Sequence, residues 1–284
     1  MIFEANKKHT WNLGFIKNLA IIVLYSKLID LLTYIGNWIG DFMFSYERWA
    51  EREMLRWMGL MRKKPSIVQS ISKGTQRRIN SLLPEKYHEF VTGAIKNMTK
   101  ATLYGSKFGI NPPLVGYTLK ERERILRDKT KMYTATATVE GAATGAGGFM
   151  AGLADFPLLM GIKMRFLFEV AAIYGFDVND YRERLYILHI FQLAFSSKKH
   201  VNKVFNIMEN WQEYADTLPE NLDDFEWRDF QQEYRDYLDI AKLLQMLPIV
   251  GALVGSYVNN KLLKKLSETA MNSYRMRILK QKRE

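Results

Sequence analysis

Cysteine is absent from this chain of 284 residues, and proline occurs only seven times. Without thiols the chain has no disulfide framework, no thiolate metal site and no cysteine nucleophile. Scarce proline, together with the lack of any low-complexity tract, argues against a long disordered linker. Hydrophobic residues make up 48% of the chain and charged residues 25%. This balance is typical of a globular protein.

Motifs for catalysis and cofactor binding are missing as well. The glycine-rich segment at 141–152 is not followed by the lysine of a phosphate-binding loop, and no strand precedes it as a dinucleotide-binding fold requires. The four histidines lack the spacing of a zinc site, and Ser196 lacks the context of a hydrolase nucleophile. The sequence therefore predicts no cofactor, no metal site and no catalytic residue.

The charge is strongly positive and unevenly distributed. The formal net charge is +11, although the segment at 209–239 is rich in acidic residues. The basic excess therefore lies elsewhere, mainly at 52–78 and in the last two dozen residues. Such a chain is attracted to polyanions, of which nucleic acid and the anionic lipid surface are the usual two. Since no nucleic-acid recognition motif is visible, the sequence favours lipid.

An apolar stretch covers residues 13–44. It is interrupted by charges and has no small-residue cleavage site, so we do not interpret it as a secretory signal. Residues 19–39 have the length of a membrane span, but Lys27 and Asp30 lie near the middle. Three hypotheses remain for this stretch: a core helix, a helix lying at the membrane interface, and a true span.

Apolar residues recur at three- and four-residue spacing along most of the chain, which predicts helices. The alternation at 134–139 resembles a strand, but its small residues favour a tightly packed helix. We therefore predict an all-α protein. Its parts are an N-terminal apolar extension at 1–44, formed by a helix or helical hairpin, and a compact multi-helix domain with glycine-rich helix packing at 45–284.

Local signals place several boundaries. Gly175 has the position of a left-handed helix C-cap, and Asp177 that of the N-cap of the next helix. Near the C-terminus, apolar residues four apart predict one buried face, made of Val258, Leu262, Leu266, Ala270 and Tyr274. The predicted segments are 10–44, 46–61, a helix from Pro65, a helix from Pro84 to Tyr104, a loop at 111–113, and helices beginning at Leu119, Leu158 and Tyr181.

Two blocks of sequence combine glycine, proline and charged residues in distinctive motifs. The first block contains Thr144-Gly145, Ala154-Asp155-x-Pro157-x-Leu159, Arg165 and Tyr174-Gly175-x-Asp177. The second contains Leu247-Pro248-x-x-Gly251-Ala252, Gly255, Asn259, Thr269-Ala270 and Tyr274-Arg275-x-Arg277. Both blocks resemble the EcsC family, in the order in which the family has them and over about residues 45–280.

The family takes its name from a bacterial operon that encodes an ABC transporter. The resemblance implies a cytoplasmic protein, peripheral at the inner membrane, whose partners are an anionic membrane or lipid and an ABC transporter. It implies no catalytic activity. The function that we predict is a membrane-associated accessory protein that binds lipid or a membrane transporter. A hydrolase of lipid or peptide and a soluble scaffold are the alternatives, and a transmembrane N-terminal segment stays open.

The residues that we single out form two sets. The candidates for a functional or structural role are Gly145, Gly148, Asp155, Pro157, Arg165, Asp177, Asn259 and Arg275. The candidates for contact with lipid are Lys17, Lys27, Arg62, Lys63, Lys64, Lys261, Lys264 and Lys265.

Three of the candidates have competing interpretations. Gly148 belongs to a small-residue stripe that allows close helix packing in a core, a flexible lipid-facing hairpin or a lined lipid cavity. Asp155 suits a helix N-cap better than a catalytic carboxylate, because no partner acid or base is near it in sequence. Arg165 lies four residues before Glu169 and is expected to form an ion pair with it, unless it meets a lipid phosphate or Asp155.

Overall fold

The structure is a computed structural model that describes residues 5–63, 85–104, 109, 111–144, 156–197, 199–239, 243 and 252–281. All the regular elements in these ranges are helices, and the only strand-like feature is a single bridge between Ser196 and Leu238. This confirms the all-α prediction. Residues 134–139, whose alternation resembled a strand, are helical.

Nine α-helices and one short 3₁₀-helix are formed by the described residues. The 3₁₀-helix is Leu222–Asp224. The α-helices are α1 Ala5–Arg62, α2 Glu85–Tyr104, α3 Leu119–Thr144, α4 Phe156–Tyr174, α5 Tyr181–Phe195, α6 Val201–Glu209, α7 Trp211–Asp216, α8 Trp227–Tyr237 and α9 Ala252–Gln281.

The chain divides into two compact units, Met1–Trp49 and Ala50–Glu284. Helix α1 is continuous from Ala5 to Arg62, so neither a hairpin nor a break between the segments predicted at 10–44 and 46–61 is present. The physical reason is that residues 5–62 contain no proline, and isolated glycines do not stop a helix whose neighbours favour it.

In the first unit, the described side chains of α1 at 21 and 23–36 are all exposed. The hypothesis of a core helix is therefore wrong for this segment. None of the helices in the described part of the chain combines the length and the hydropathy of a membrane span.

The second unit is organised around α5. Every residue of α5 except Arg182 is buried, as is most of α4. Helix α9 packs along α3 and also against α4 and α5, while α2 covers another side of α4 and α5. The predicted apolar face of α9 is confirmed where its side chains are described, at Leu262, Leu266, Ala270 and Tyr274, all buried.

Helix α4 ends in a left-handed cap at Gly175. The φ angle of Gly175 is +91°. Its N–H donates to Ala172 O, and the N–H of Phe176 donates to Ala171 O, both at 3.0 Å. These two bonds are the Schellman arrangement, in which glycine is favoured because a side chain would be strained. The predicted C-cap is confirmed.

The N-cap of α5 is Asp180, and the assignment to Asp177 was wrong. The Asp180 side chain accepts from Arg182 N at 2.9 Å. Asp177 instead accepts from the backbone N–H and the side-chain amide of Asn179, at 2.9 and 2.8 Å. Asp177 therefore shapes the turn that precedes the helix, because a short carboxylate reaches the N–H two residues ahead.

A buried ion pair joins α9 to α3. Arg275 is 1% exposed and Glu123 is 0% exposed. The guanidinium donates to both carboxylate oxygens at 2.6 Å and also to Asn272 Oδ1 at 3.2 Å. Two parallel charge-assisted bonds restrict both the distance and the rotation between the helices.

Candidate functional site

A pocket of about 430 Å³ lies within the second unit. Its walls come from one face of α1, from the junction of α6 and α7, and from the last turns of α9. We call it the methionine pocket. The lining residues are Glu51, Met54, Leu55, Met58, Arg62, Met208, Glu209, Trp211, Gln212, Met276, Arg277, Leu279 and Lys280.

The floor of the methionine pocket is apolar and made largely of methionine. Its buried members are Met54, Met58, Met208, Met276, Leu279 and Trp211. The C-terminal part of α1 is held beside the pocket by Trp57, whose ring lies edge-on to Phe205 of α6 at 5.7 Å. Methionine side chains are unbranched and polarizable, so such a floor adapts to an apolar ligand rather than fixing one shape.

One end of the pocket is polar and basic. Arg62 forms an ion pair with Glu209 at the end of α6, and Lys280 donates to the backbone carbonyl of Glu209 at 3.4 Å. The hydrogen bond to Glu209, followed by its charge, raises the pKa of Arg62 above its ordinary value. Asn202 donates to Met61 O at 2.8 Å and so holds the end of α1.

Arg277 forms part of the pocket wall, and its guanidinium is held by residues that do not line the pocket. It donates to Glu183 at 2.6 Å, and its guanidinium lies 3.9 Å from the ring centre of Phe176 and 4.5 Å from that of Tyr186. Tyr274 donates to the same carboxylate at 2.6 Å. Burial raises the pKa of Glu183, while the charge of Arg277 opposes this shift. Arg277 is therefore rigid and already neutralised.

An aromatic layer supports the floor at Trp211. The imidazole of His189 lies edge-on to Trp211, Tyr214 and Phe230, at 5.8, 5.7 and 5.8 Å. Its Nδ1 lies 3.2 Å from Gln192 Oε1. Burial lowers the pKa of His189 to about 4, so the ring is neutral at physiological pH. His189 fills the core behind the pocket and does not line it.

The lining of the methionine pocket divides into polar and apolar residues. Among those that the structure describes, the titratable groups are two carboxylates, two arginines and one lysine, with no hydroxyl or imidazole. With Gln212 these make six polar residues among thirteen, and the remaining seven are apolar or aromatic. A pocket of this size that combines an apolar floor with charged groups is suited to hold a small molecule.

The first unit carries a separate surface. Between residues 21 and 35 of α1, ten large apolar side chains are 41–70% exposed. They are Ile21, Val23, Leu24, Tyr25, Leu28, Ile29, Leu31, Leu32, Tyr34 and Ile35. Exposed apolar surface of this extent is typical of surfaces that contact a membrane or another protein.

Three sequence candidates lie in the helical core of the second unit or on its surface. Asn259 is buried and accepts from Lys163 Nζ at 2.6 Å. Arg165 is exposed, and its Nε lies 3.7 Å from Glu169 Oε1, as the ion-pair hypothesis expected. Pro157 is exposed in the first turn of α4, where its missing N–H costs nothing. None of the three lines the methionine pocket.

The lysine candidates are scattered. Only Arg62 of the lipid-contact set lines the pocket, and Lys63 is exposed just beyond it. Lys261, Lys264 and Lys265 are exposed together on one face of α9, and Lys27 is exposed on α1. Lys17 belongs to α1, but its side chain lies outside the described residues, as do Lys64, Gly145, Gly148 and Asp155.

Sequence reasoning missed the methionine pocket. Along α1 its lining residues Glu51, Met54, Leu55, Met58 and Arg62 are spaced by three and four, so their common face was visible in the sequence. The partner face was not visible. It comes from α6, α7 and α9, about 150 and 220 residues further along the chain, and local periodicity carries no signal for such a contact.

Comparison with known proteins agrees with the resemblance in the two sequence blocks. Protein EcsC of Bacillus subtilis (strain 168) is 43% identical over 231 residues, which cover 81% of this chain and 95% of that protein. The uncharacterized protein YdbA of the same organism is 30% identical over 158 residues, 55% of this chain and 57% of that protein. No solved structure matches. The EcsC protein family matches residues 48–279, and the chain belongs to this family.

Proposed function

We propose that this protein is a peripheral membrane protein, which attaches to lipid through the apolar face of α1 in its first unit. The observation that carries the proposal is the exposure of ten large apolar side chains between residues 21 and 35. Leaving such a surface in water is unfavourable by roughly 25 cal/mol for each Å² of apolar area. A lipid interface removes this cost.

The distribution of residues around α1 supports an interfacial helix. At 100° per residue, eight of the ten exposed apolar side chains fall within roughly half of the helix circumference. Lys27, Asp30 and Thr33 lie on the opposite half. A helix with a broad apolar face and a charged opposite face lies in the membrane plane. A coiled-coil seam needs only a narrow apolar stripe.

Electrostatics adds a second, salt-dependent contribution. The chain has a formal charge of +11, and basic side chains are exposed at Lys63 and on one face of α9. Each lysine or arginine near an anionic leaflet contributes about 1 kcal/mol, which decays within a Debye length of about 8 Å at physiological salt. The cytoplasmic leaflet of a bacterial inner membrane has the matching negative charge. Association with an ABC transporter and hydrolase activity stay predictions.

Vesicle co-sedimentation of the full-length protein tests the proposal. Leu24, Leu28 and Leu32 form one row of the apolar face, and glutamine at all three should weaken binding. If each half-exposed leucine contributes about 1 kcal/mol, the partition coefficient should fall roughly 100-fold. The wild type should bind anionic vesicles and retain much of this binding at about 0.5 M salt, because apolar burial is not screened.

The matched control replaces Leu60, Val115 and Met132 with glutamine, three exposed apolar residues of the second unit. It should bind vesicles as the wild type does. If the wild type ignores both anionic and neutral vesicles, the membrane proposal fails. If, in addition, the Leu24, Leu28 and Leu32 variant disrupts an oligomer seen by analytical ultracentrifugation, the scaffold hypothesis takes its place.

A further inference from the structure

We propose that the methionine pocket binds a single acyl chain with an anionic head group. The chain lies on the methionine floor, and the head group lies at the end formed by Arg62 and Lys280. This site belongs to the second unit. It is distinct from the exposed apolar face of α1 between residues 21 and 35, which belongs to the first unit. The inference relies on the proposed function only for one source of the ligand, a membrane lipid.

The pocket runs along three turns of α1. Its lining residues on α1 run from Glu51 to Arg62, which is about 16 Å at 1.5 Å per residue. An extended chain one methylene wide can lie along a pocket of this length, from the methionine floor to the basic end.

The composition of the floor selects an apolar chain. Met54, Met58, Met208 and Met276 are buried and contribute no hydrogen-bond donor. A hydroxyl or amide group placed against these four side chains would lose its bonds to water without replacement. Flexible methionine side chains adapt to chains of different length and unsaturation.

The charges at one end select the head group. Glu209 is already engaged by Arg62. The described contact of Lys280 is the neutral carbonyl of Glu209, and no carboxylate among the described residues lies within ion-pair distance of it. An ammonium has three donors, so Lys280 retains capacity for an anion. Lys63 is exposed next to Arg62 and adds to the positive potential.

Calorimetry on the full-length protein, with soluble ligands below their micellar concentration, tests the site. Octanoate, decanoate and dodecanoate should bind with affinity that rises about fourfold for each added methylene until the pocket is full. Decanoate should bind several-fold more tightly than decanol, and decylammonium should bind most weakly. Affinity that does not change with chain length, or tighter binding of decylammonium, would overturn the proposal.

Two pairs of matched variants separate the chain from the head group. Leu55 and Leu60 are 50% and 58% exposed on α1, but only Leu55 lines the pocket. Leu55→Gln should weaken both decanoate and decanol about fivefold, while Leu60→Gln changes neither. Lys280→Gln should weaken decanoate alone, and Lys264→Gln, exposed on the same helix, should not. Equal effects within either pair contradict the site.

The source of the ligand is identified by one further comparison. If dodecanoyl lysophosphatidylglycerol binds as tightly as dodecanoate, the occupant comes from a membrane lipid. If only the carboxylate binds, it is a free fatty acid. Both outcomes support the proposed site. If neither compound binds, the proposal is wrong. Vesicle attachment through α1 is measured separately with the Leu24, Leu28 and Leu32 variant, so each proposal fails by its own measurement.

Discussion

Replacing Gly175 with alanine should destabilise the second unit, because three elements meet at this glycine. Its φ angle is +91°, which is unfavourable for residues with a side chain. A Cβ atom would lie 2.9 Å from Arg122 Nη1 and 3.1 Å from the carbonyl oxygen of Leu114. Arg122 cannot move away without cost, since Nη1 donates to Ile173 O at 2.6 Å and Nε donates to Tyr117 O at 3.0 Å.

The magnitude follows from two contributions. Forcing a residue with a side chain into the left-handed region costs about 1–2 kcal/mol. Displacing Arg122 weakens a charge-assisted hydrogen bond, which contributes about 1.5–3 kcal/mol. Because the side chain can shift by a few tenths of an ångström rather than leave, only part of the second contribution is lost. The expected loss in the free energy of unfolding is therefore about 2–4 kcal/mol.

The same helix provides the control. Gly161 is exposed within α4 and has no neighbouring atom within 4 Å of an added Cβ. Gly161→Ala should stabilise the protein by about 0.5–1 kcal/mol, because alanine is the better helix former. Urea unfolding followed by circular dichroism measures both variants. If Gly175→Ala unfolds at the wild-type urea concentration while Gly161→Ala shows its gain, the strain assigned to Gly175 is refuted.

Two further predictions concern buried charge. Glu123→Gln and Arg275→Met should each lower the free energy of unfolding by about 3–5 kcal/mol, because each removes the two short charge-assisted bonds that compensate a buried charge. Glu123→Leu combined with Arg275→Met should cost less than the sum of the single losses, and single losses below about 1 kcal/mol would show that water replaces the pair. Burial lowers the pKa of His189 to about 4, from an unfolded value of about 6.5. The contribution of neutral His189 to stability is therefore complete above about pH 6.5 and is lost as the pH falls toward 4. Between about pH 7.5 and 5 the loss from this residue is about 2 kcal/mol, so His189→Phe should unfold with a shallower pH dependence over that range, and an unchanged dependence would place the titration elsewhere.

The candidate site shows where prediction from sequence stops. Arg62 was selected because it lies in a basic run, and the structure gives it a specific partner in Glu209, 147 residues away. Arg275 was selected from a motif, and its partner Glu123 is 152 residues away. The residue types were informative in both cases, because a charge close to apolar sequence needs a partner. Which acid serves as that partner depends on how the helices pack.

The two ends of helices at Gly175 and Tyr181 also separate what the sequence predicts from what packing decides. Gly175 was identified correctly because few other residues adopt a positive φ at a helix end. The N-cap was assigned to Asp177, but Asp180 is an equally competent cap and is the one that the structure uses. The choice depends on where α5 begins, and Tyr181, its first residue, is buried against neighbouring elements.

The sequence by itself determined the helical class, the cap at Gly175, the loop at 111–113 and the buried face of α9, because each depends on periodicity or on the conformation of a single residue. Only the tertiary structure decided that α1 continues to Arg62 beside α6 and α9, and that its methionines form a pocket there. The physical reason is that the apolar face of a helix follows from its own sequence and is the same whichever element packs on it. The covering partner is selected by packing among residues far apart in the chain, which no local pattern encodes.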